Sequence, residues 1–261
     1  MIAMIRQLSR HRDLLYMLSR RDITVKYKQS IMGFLWAILM PLLITSAGVV
    51  VKIAMAQMSG KAVVFTDVLP VAIKAAPWAF FVASLRFSTQ SLSGNYVLVT
   101  KIAFPRAVFP LSSVASQLFD FAIAASVITV IVAFSPVAPT VHLLWVPVLL
   151  VLLIAQVAGL ALLLSAANLF FRDVKYLVEV VLTFAIFFTP VFYSARDFGD
   201  AGKLLLLNPV APILEGLQDA VVAGHAPDAF WTSYAAGWAF VLLLVTPAIF
   251  LRLEPKFAES V

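Results

Sequence analysis

Ile31-Met-Gly-Phe-Leu-Trp-Ala-Ile-Leu-Met-Pro-Leu-Leu-Ile-Thr-Ser-Ala-Gly-Val-Val-Val51 carries no charged residue and ends against Lys52. About 20 predominantly apolar residues are needed to cross the hydrocarbon core of a bilayer. This stretch supplies 21 of them, so it reads as a transmembrane helix. The whole chain agrees. Its 261 residues are 62% hydrophobic and only 12% charged, with a mean hydropathy of +1.01. A soluble domain carries roughly 25% charged residues, and half that charge cannot coat a water-soluble globule. Disordered chains are polar and charge-rich, so disorder is excluded by the same numbers. The absence of cysteine excludes disulfides, iron–sulfur clusters and thiolate zinc sites. The net charge of +6 reports basic residues gathered on the cytoplasmic side of a membrane, not a nucleic-acid partner.

Further spans follow from the same reading. A second crossing, from about Leu69 to Ser88, must absorb Lys74, which is expected to snorkel outward. Arg106 to Arg172 holds one charged residue, Asp120, and is long enough for two crossings, with Ser135-Pro-Val-Ala-Pro-Thr-Val-His142 as the turn between them. A fifth span runs from about Leu177 to Tyr193, and Ala229–Leu251 is the sixth. Leu204–Ala223 is apolar but broken by Asn208-Pro209 and Pro212, so it reads as an external re-entrant hairpin.

Six crossings place both termini on one side. With that side inside, fourteen Lys/Arg face the cytoplasm and five face out, which fixes the orientation. Thirty polar, basic residues precede the first span, so no cleavable signal peptide is expected. Within them, Leu14, Leu15, Leu18 and Val25 share one helical face of His11–Lys28, with Arg12, Arg20, Arg21, Lys26 and Lys28 mostly elsewhere. That pattern suits an amphipathic helix in the headgroup plane. The expected fold is an all-α integral membrane domain over residues 1–261. Residues 1–30 form a basic cytoplasmic segment, 31–251 the six spans, and 252–261 a cytoplasmic tail.

No catalytic pattern emerges. His11, His142 and His225 lie far apart, with no paired ligand spacing for a metal and no nucleophile elbow. Lys61 follows Gly60, but Met55 occupies the position where a phosphate loop needs its upstream glycine. This chain therefore holds no ATP or other cofactor by that motif. Asp120 is the one deep acid, roughly 20 Å into its span at helical rise. It reads as a polar contact inside the bundle or along a pathway. Phe184, Phe187, Phe188, Phe192 and Tyr193 cluster in the fifth span, with 184, 188 and 192 spaced as one helical stripe. Such a stripe lines a passage or faces lipid and packing neighbours, and spacing alone favours the latter.

Several stretches carry a resemblance together. Arg21-Asp-Ile-Thr-Val-Lys-Tyr-Lys28 leading into Ile31–Pro41, Asn95 to Pro110 around Lys101-Ile-Ala-Phe-Pro-Arg106, and Asn168-Leu-Phe-Phe-Arg-Asp-Val-Lys175 are three of them. Phe187-Phe-Thr-Pro-Val-Phe-Tyr193, Leu207-Asn-Pro-Val-Ala-Pro212 with Glu215-Gly216, and the tail Leu253-Glu-Pro-Lys-Phe-Ala-Glu259 complete the set. In order and spacing they resemble the polysaccharide-export permeases of the type-2 ABC transporter family. Thr100 and Ala107 depart from the charged residues expected beside the Lys101–Arg106 core. The resemblance implies a homodimeric channel in a bacterial inner membrane that passes a lipid-linked polysaccharide such as O-antigen, capsule or teichoic acid. It implies two separate ATP-binding cassette subunits, which carry the ATP and Mg. It also implies ATPase contacts through Arg20 and Arg21 and through Asn95, Lys101, Phe104, Pro105 and Arg106. A type-2 permease for a lipid or drug, and a membrane-embedded glycan transferase, are the alternative readings.

Overall fold

The computed structural model describes residues 2–28, 32–33, 35–59, 65–101 and 104–258. Ile31, Lys61, Glu259, residues 102–103 and the side chain of Lys101 lie outside the described residues. Two N-terminal helices, α1 (Ile2–Arg10) and α2 (Arg12–Lys28), precede α3 (Leu35–Ser59) and α4 (Phe65–Gly94). The short α5 (Tyr96–Lys101) leads to α6 (Val108–Ala133), and a 3-10 turn at Val141–Leu144 leads to α7 (Trp145–Phe170). Then come α8 (Val174–Phe188), the single turn α9 (Gly202–Leu205), α10 (Ala211–Gln218) and α11 (Ala229–Leu253). No strand occurs among the described residues.

Five helical stretches among the described residues are long and apolar enough to cross a bilayer: Leu35–Ala54, Val68–Gly94, Val108–Ala133, Val141–Phe170 and Ala229–Phe257. They coincide with five of the expected spans. The expected turn near 135–142 is also present, as irregular chain from Phe134 to Thr140. The remaining expected span departs from expectation. α8 has only 15 residues, about 22 Å of rise. Pro190 has no N–H for the ladder, and it pushes Thr189 into extended backbone at φ −116°, ψ 131°. Phe192 therefore does not continue the stripe begun by Phe184 and Phe188. It turns into the core, where a Cβ added to Gly48 would lie 2.9 Å from its ring.

α4 is the central post, packed on by α3, α6, α7, α8 and α10. One apolar cluster joins α4, α6, α7, α8 and the segment around α10. A second gathers Met4, Leu18, Leu92, Phe109, Phe250 and Phe257. Because this second cluster contains residues from the first and last helices, both ends of the described chain lie at one end of the bundle. We call it the basic end.

The segment between α8 and α11 folds back into the opposite end. Gly216 abuts Leu149 near the start of α7, while Gln156 Nε2 donates to the Pro209 carbonyl at 3.2 Å. Position rises along α7 as it falls along α10, so the two run antiparallel. Gln156 lies eleven residues past Trp145, so the Pro209 tip sits about 17 Å down α7. Asn208 Nδ2 also donates to Thr189 Oγ1 at 2.9 Å. The tip thus meets α8 where that helix stops.

Candidate functional site

The hairpin is seated by charge. Lys74, in the middle of α4, is 1% exposed and lies 3.0 Å from Glu215 Oε1 of α10. Its ammonium also donates to the Tyr193 carbonyl at 2.6 Å, while Ser194 Oγ donates to the other Glu215 oxygen at 2.7 Å. The expected outward snorkelling of Lys74 does not occur. Its ammonium is satisfied inside the bundle, because a carboxylate and a carbonyl lie within hydrogen-bond reach there. A buried charge is tolerated only when paired and hydrogen-bonded in this way. Toward the end opposite the basic end the same seat continues as a two-pronged contact. Arg196 Nη1 and Nη2 donate to Asp219 Oδ1 and Oδ2 at 2.8 and 2.6 Å, and His225 Nε2 lies 3.6 Å from Oδ1. Sequence reading missed Lys74, Glu215, Arg196 and Asp219 as a group. The available signal was a lone lysine and a lone glutamate, each inside an otherwise apolar run.

At the basic end the structure brings two sets of expected coupling residues together. Arg21 Nη1 of α2 donates to Asn95 Oδ1 at 3.2 Å, and Asn95 in turn donates to the Ser91 carbonyl at 2.8 Å. Arg20 is exposed beside them. Arg106 folds into the C-terminal tail: its backbone N–H donates to Glu254 Oε1 at 2.8 Å and its Nε to the Val99 carbonyl at 3.1 Å. Phe104 and Pro105 are half-buried, with the Phe104 ring 5.4 Å from that of Phe109. Phe104 is therefore partly set into the second core cluster.

Asp120 is met by the N-terminal helix. Lys26 forms an ion pair with it and the Tyr27 hydroxyl donates to it, so α2 docks along α6. Ile23–Tyr27 is helical, as part of α2. Burial pushes the Tyr27 phenol well above its ordinary value, and its bond to Asp120 adds to the shift. Tyr27 therefore stays a donor. Asp120→Asn keeps the shape but removes the charge that holds Lys26. With both side chains partly exposed, a loss of about 1 kcal/mol is expected. Trypsin should cut after Lys26 or Lys28 roughly fivefold faster. Unchanged cleavage kinetics would show that α2 is held by its apolar contacts alone.

The aromatic residues divide. Phe184, Phe187 and Phe188 are 58, 63 and 68% exposed on α8. Phe192 is enclosed, and Tyr193 is half-buried, its hydroxyl donating to the Phe187 carbonyl at 2.7 Å. α8 thus presents three rings that no other part of the described chain covers. A cavity of about 490 Å³ opens on another side of α8, against α3, α4 and α6, and Lys26, Arg86 and Asp120 stand at its rim.

Residues 13–222 match the family described as ABC-2 type transporter. The O-antigen export system permease protein RfbA of Myxococcus xanthus is 30% identical over 265 aligned residues, covering 100% of both chains. Two proteins of that name from Klebsiella pneumoniae are 28% and 27% identical, each covering 95% of this chain and 94% of the relative.

Proposed function

The chain belongs to the ABC-2 type transporter family, and from that premise we propose that it is the membrane subunit of an ATP-driven exporter of a lipid-linked polysaccharide. In this reading two copies form one channel in the bacterial inner membrane, and two separate ATP-binding cassette subunits dock at the basic end. The basic end is cytoplasmic, as the positive-inside bias requires. With both ends of the described chain there, this reading takes an even number of crossings. α8 with Thr189–Ser194 then makes the sixth pass. ATP and Mg belong to the partner subunits, since this chain lacks a phosphate loop. Arg20, Arg21, Asn95 and the Lys101–Arg106 segment form the surface that receives them.

One observation carries the polymer reading: Phe184, Phe187 and Phe188 project uncovered from α8, just short of the point where the hairpin tip meets Thr189. Ring faces contact sugar C–H surfaces without a fixed hydrogen-bond register, so a polymer slides past them. Phe192, expected at first to share this role, is enclosed and belongs to the seat of the hairpin.

The test uses the cysteine-free chain. Single cysteines at 184, 187 or 188 should be labelled by a membrane-impermeant thiol reagent during turnover, whereas one at 192 should stay protected. Polysaccharide should reach the cell surface only when an ATPase subunit with an intact phosphate loop is co-expressed. Export without the ATPase, or rings that never label, would overturn the reading. Translocation of a lipid bearing no glycan at the same rate would assign the chain to lipid export instead.

A further inference from the structure

A cavity of about 610 Å³ opens toward the end of the bundle remote from the basic end. Its walls are the far halves of α4, α6 and α7, residues 137–143 of the connection between α6 and α7, and Leu217 and Val221 of the hairpin. Nothing from α3, α8 or α11 lines it, so it lies away from the uncovered rings of α8. Ala76 and Phe121 also line the cavity beside α8, and the two cavities therefore stand back to back across the α4–α6 contact. Thr129 is the one polar residue in the wall, its hydroxyl is spent on the Ala125 carbonyl at 2.8 Å, and no lining residue is charged.

Such a space does not stay empty. A void forfeits the dispersion contacts of its lining, and a wall without free polar groups does not hold water. The mouth, at Thr129, Ala133, Ala138, Pro139 and Pro147, is exposed between helices long and apolar enough to cross a bilayer. The medium at that mouth is therefore hydrocarbon. The outer end differs in chemistry. Thr140 Oγ1 and Gln218 Oε1 are buried without a hydrogen-bond partner. They adjoin the wall residues Pro139 and Leu217 in the chain. The turn at Val141–Leu144 packs on the turn at Asp219–Ala223, and Thr140 Cγ2 lies 3.1 Å from the Cβ position of Gly224. Both unsatisfied oxygens thus stand where the connection meets the outer end of the hairpin. An apolar trough ending in an unpaired hydroxyl and an unpaired amide oxygen matches an amphiphile.

We propose that this cavity holds one acyl chain of a bilayer phospholipid from the leaflet opposite the basic end, with the polar end of the lipid at Thr140 and Gln218. This lipid is a resident of the site rather than exported cargo, and its binding does not depend on the export reading. Leu217 is 3% exposed and with Val221 forms the hairpin's side of the cavity. The chain therefore completes the packing of the hairpin's outer end against α6 and α7.

The full-length chain, extracted in a mild detergent with whatever subunits it retains, is examined by native mass spectrometry. One phospholipid per copy should survive washing that strips the surrounding lipid. Ala133→Trp fills the cavity from its mouth and should lower retention about tenfold; Thr129→Phe, one turn nearer the basic end, should act alike. Ala122→Trp adds bulk at an exposed position of α6 outside the wall and should leave retention unchanged. Each of Thr140→Val and Gln218→Leu removes one neutral hydrogen bond and should weaken retention about fivefold. Uptake of hexadecane, which has no polar end, should not change in those two variants. The filling variants should melt no lower than the delipidated wild type, because the added side chain replaces the contacts of the acyl chain. Lower melting of both would mean that the cavity is closed in solution, and unchanged retention in both would place the lipid elsewhere; each result overturns the proposal. So does a retained mass that carries sugar, which makes the cavity a cargo site. A disulfide between two chains carrying Ala133→Cys would make it a contact between copies and overturn it as well.

Discussion

Lys74→Met will undock the hairpin that carries α10. In the wild type the ammonium neutralises Glu215 and ties the Tyr193 carbonyl to α4, all within a region where Lys74 is 1% and Glu215 7% exposed. Methionine fills the space but leaves Glu215 as a buried carboxyl with Ser194 as its remaining described donor. Removing one partner of a buried ion pair costs about 3–5 kcal/mol, largely the penalty of the orphaned charge. The hairpin has an alternative, which is to swing α10 toward solvent. Leu214 is fully buried on α10, so Leu214→Cys in this cysteine-free chain reports the movement directly. The single cysteine should be inert in the wild-type background and reactive with Lys74→Met. The double change Lys74→Met with Glu215→Leu should restore much of the protection, because replacing both charges removes the orphan. A cysteine that stays inert in the Lys74→Met background would show that the apolar contacts of α10 hold the hairpin without the pair.

The second large effect is expected from Gly159→Leu. α7 and α11 run parallel and pack tightly at this glycine, where a Cβ would lie 2.7 Å from Leu242 Cβ and 3.2 Å from the Leu242 carbonyl carbon. Small residues at such crossings let membrane helices pack backbone to backbone. A side chain here meets backbone that cannot rotate away, so α11 itself must shift, at about 1–3 kcal/mol or more. The damage spreads to the hairpin. Gln156 lies one turn away and donates both to the Pro209 carbonyl at 3.2 Å and to the Ala235 carbonyl of α11 at 2.9 Å. Moving α11 pulls one of those acceptors away. The variant should melt several degrees lower in detergent and lose export. Gly237→Leu, on α11, is the control, since nothing lies within 4 Å of its Cβ position. Equal melting of the two variants would show that crowding at the α7–α11 crossing is not what limits stability.

Both effects concern contacts that could not be read along the chain, whereas much of the architecture could. The transfer of apolar side chains into a membrane is local and nearly additive, so Ile31–Val51 and Ala229–Leu251 each declared one span by composition and Arg106–Arg172 declared two. Asn208-Pro209 and Pro212 interrupt an apolar run in a way any conformation must respect, which is why the hairpin was legible as a break. The preference of α8 to stop was also written at Pro190. The periodicity of Phe184, Phe188 and Phe192 carries the stripe across that proline, whose missing N–H ends the helix at Phe188 instead of only bending it.

What only the tertiary structure decided is which polar groups meet. Lys74 and Glu215 are 141 residues apart, Lys26 and Asp120 are 94 apart, and Arg21 and Asn95 are 74 apart. From sequence, Lys74 had the bilayer surface as its nearest refuge, and Asp120 had a polar contact in the bundle or along a pathway whose partner no spacing named. A charge in an apolar run announces a desolvation cost, and that cost is a property of the residue alone. The partner that offsets it is a property of the packed helices. Burial is therefore legible from one position, while pairing depends on two positions that only the fold brings within hydrogen-bond reach.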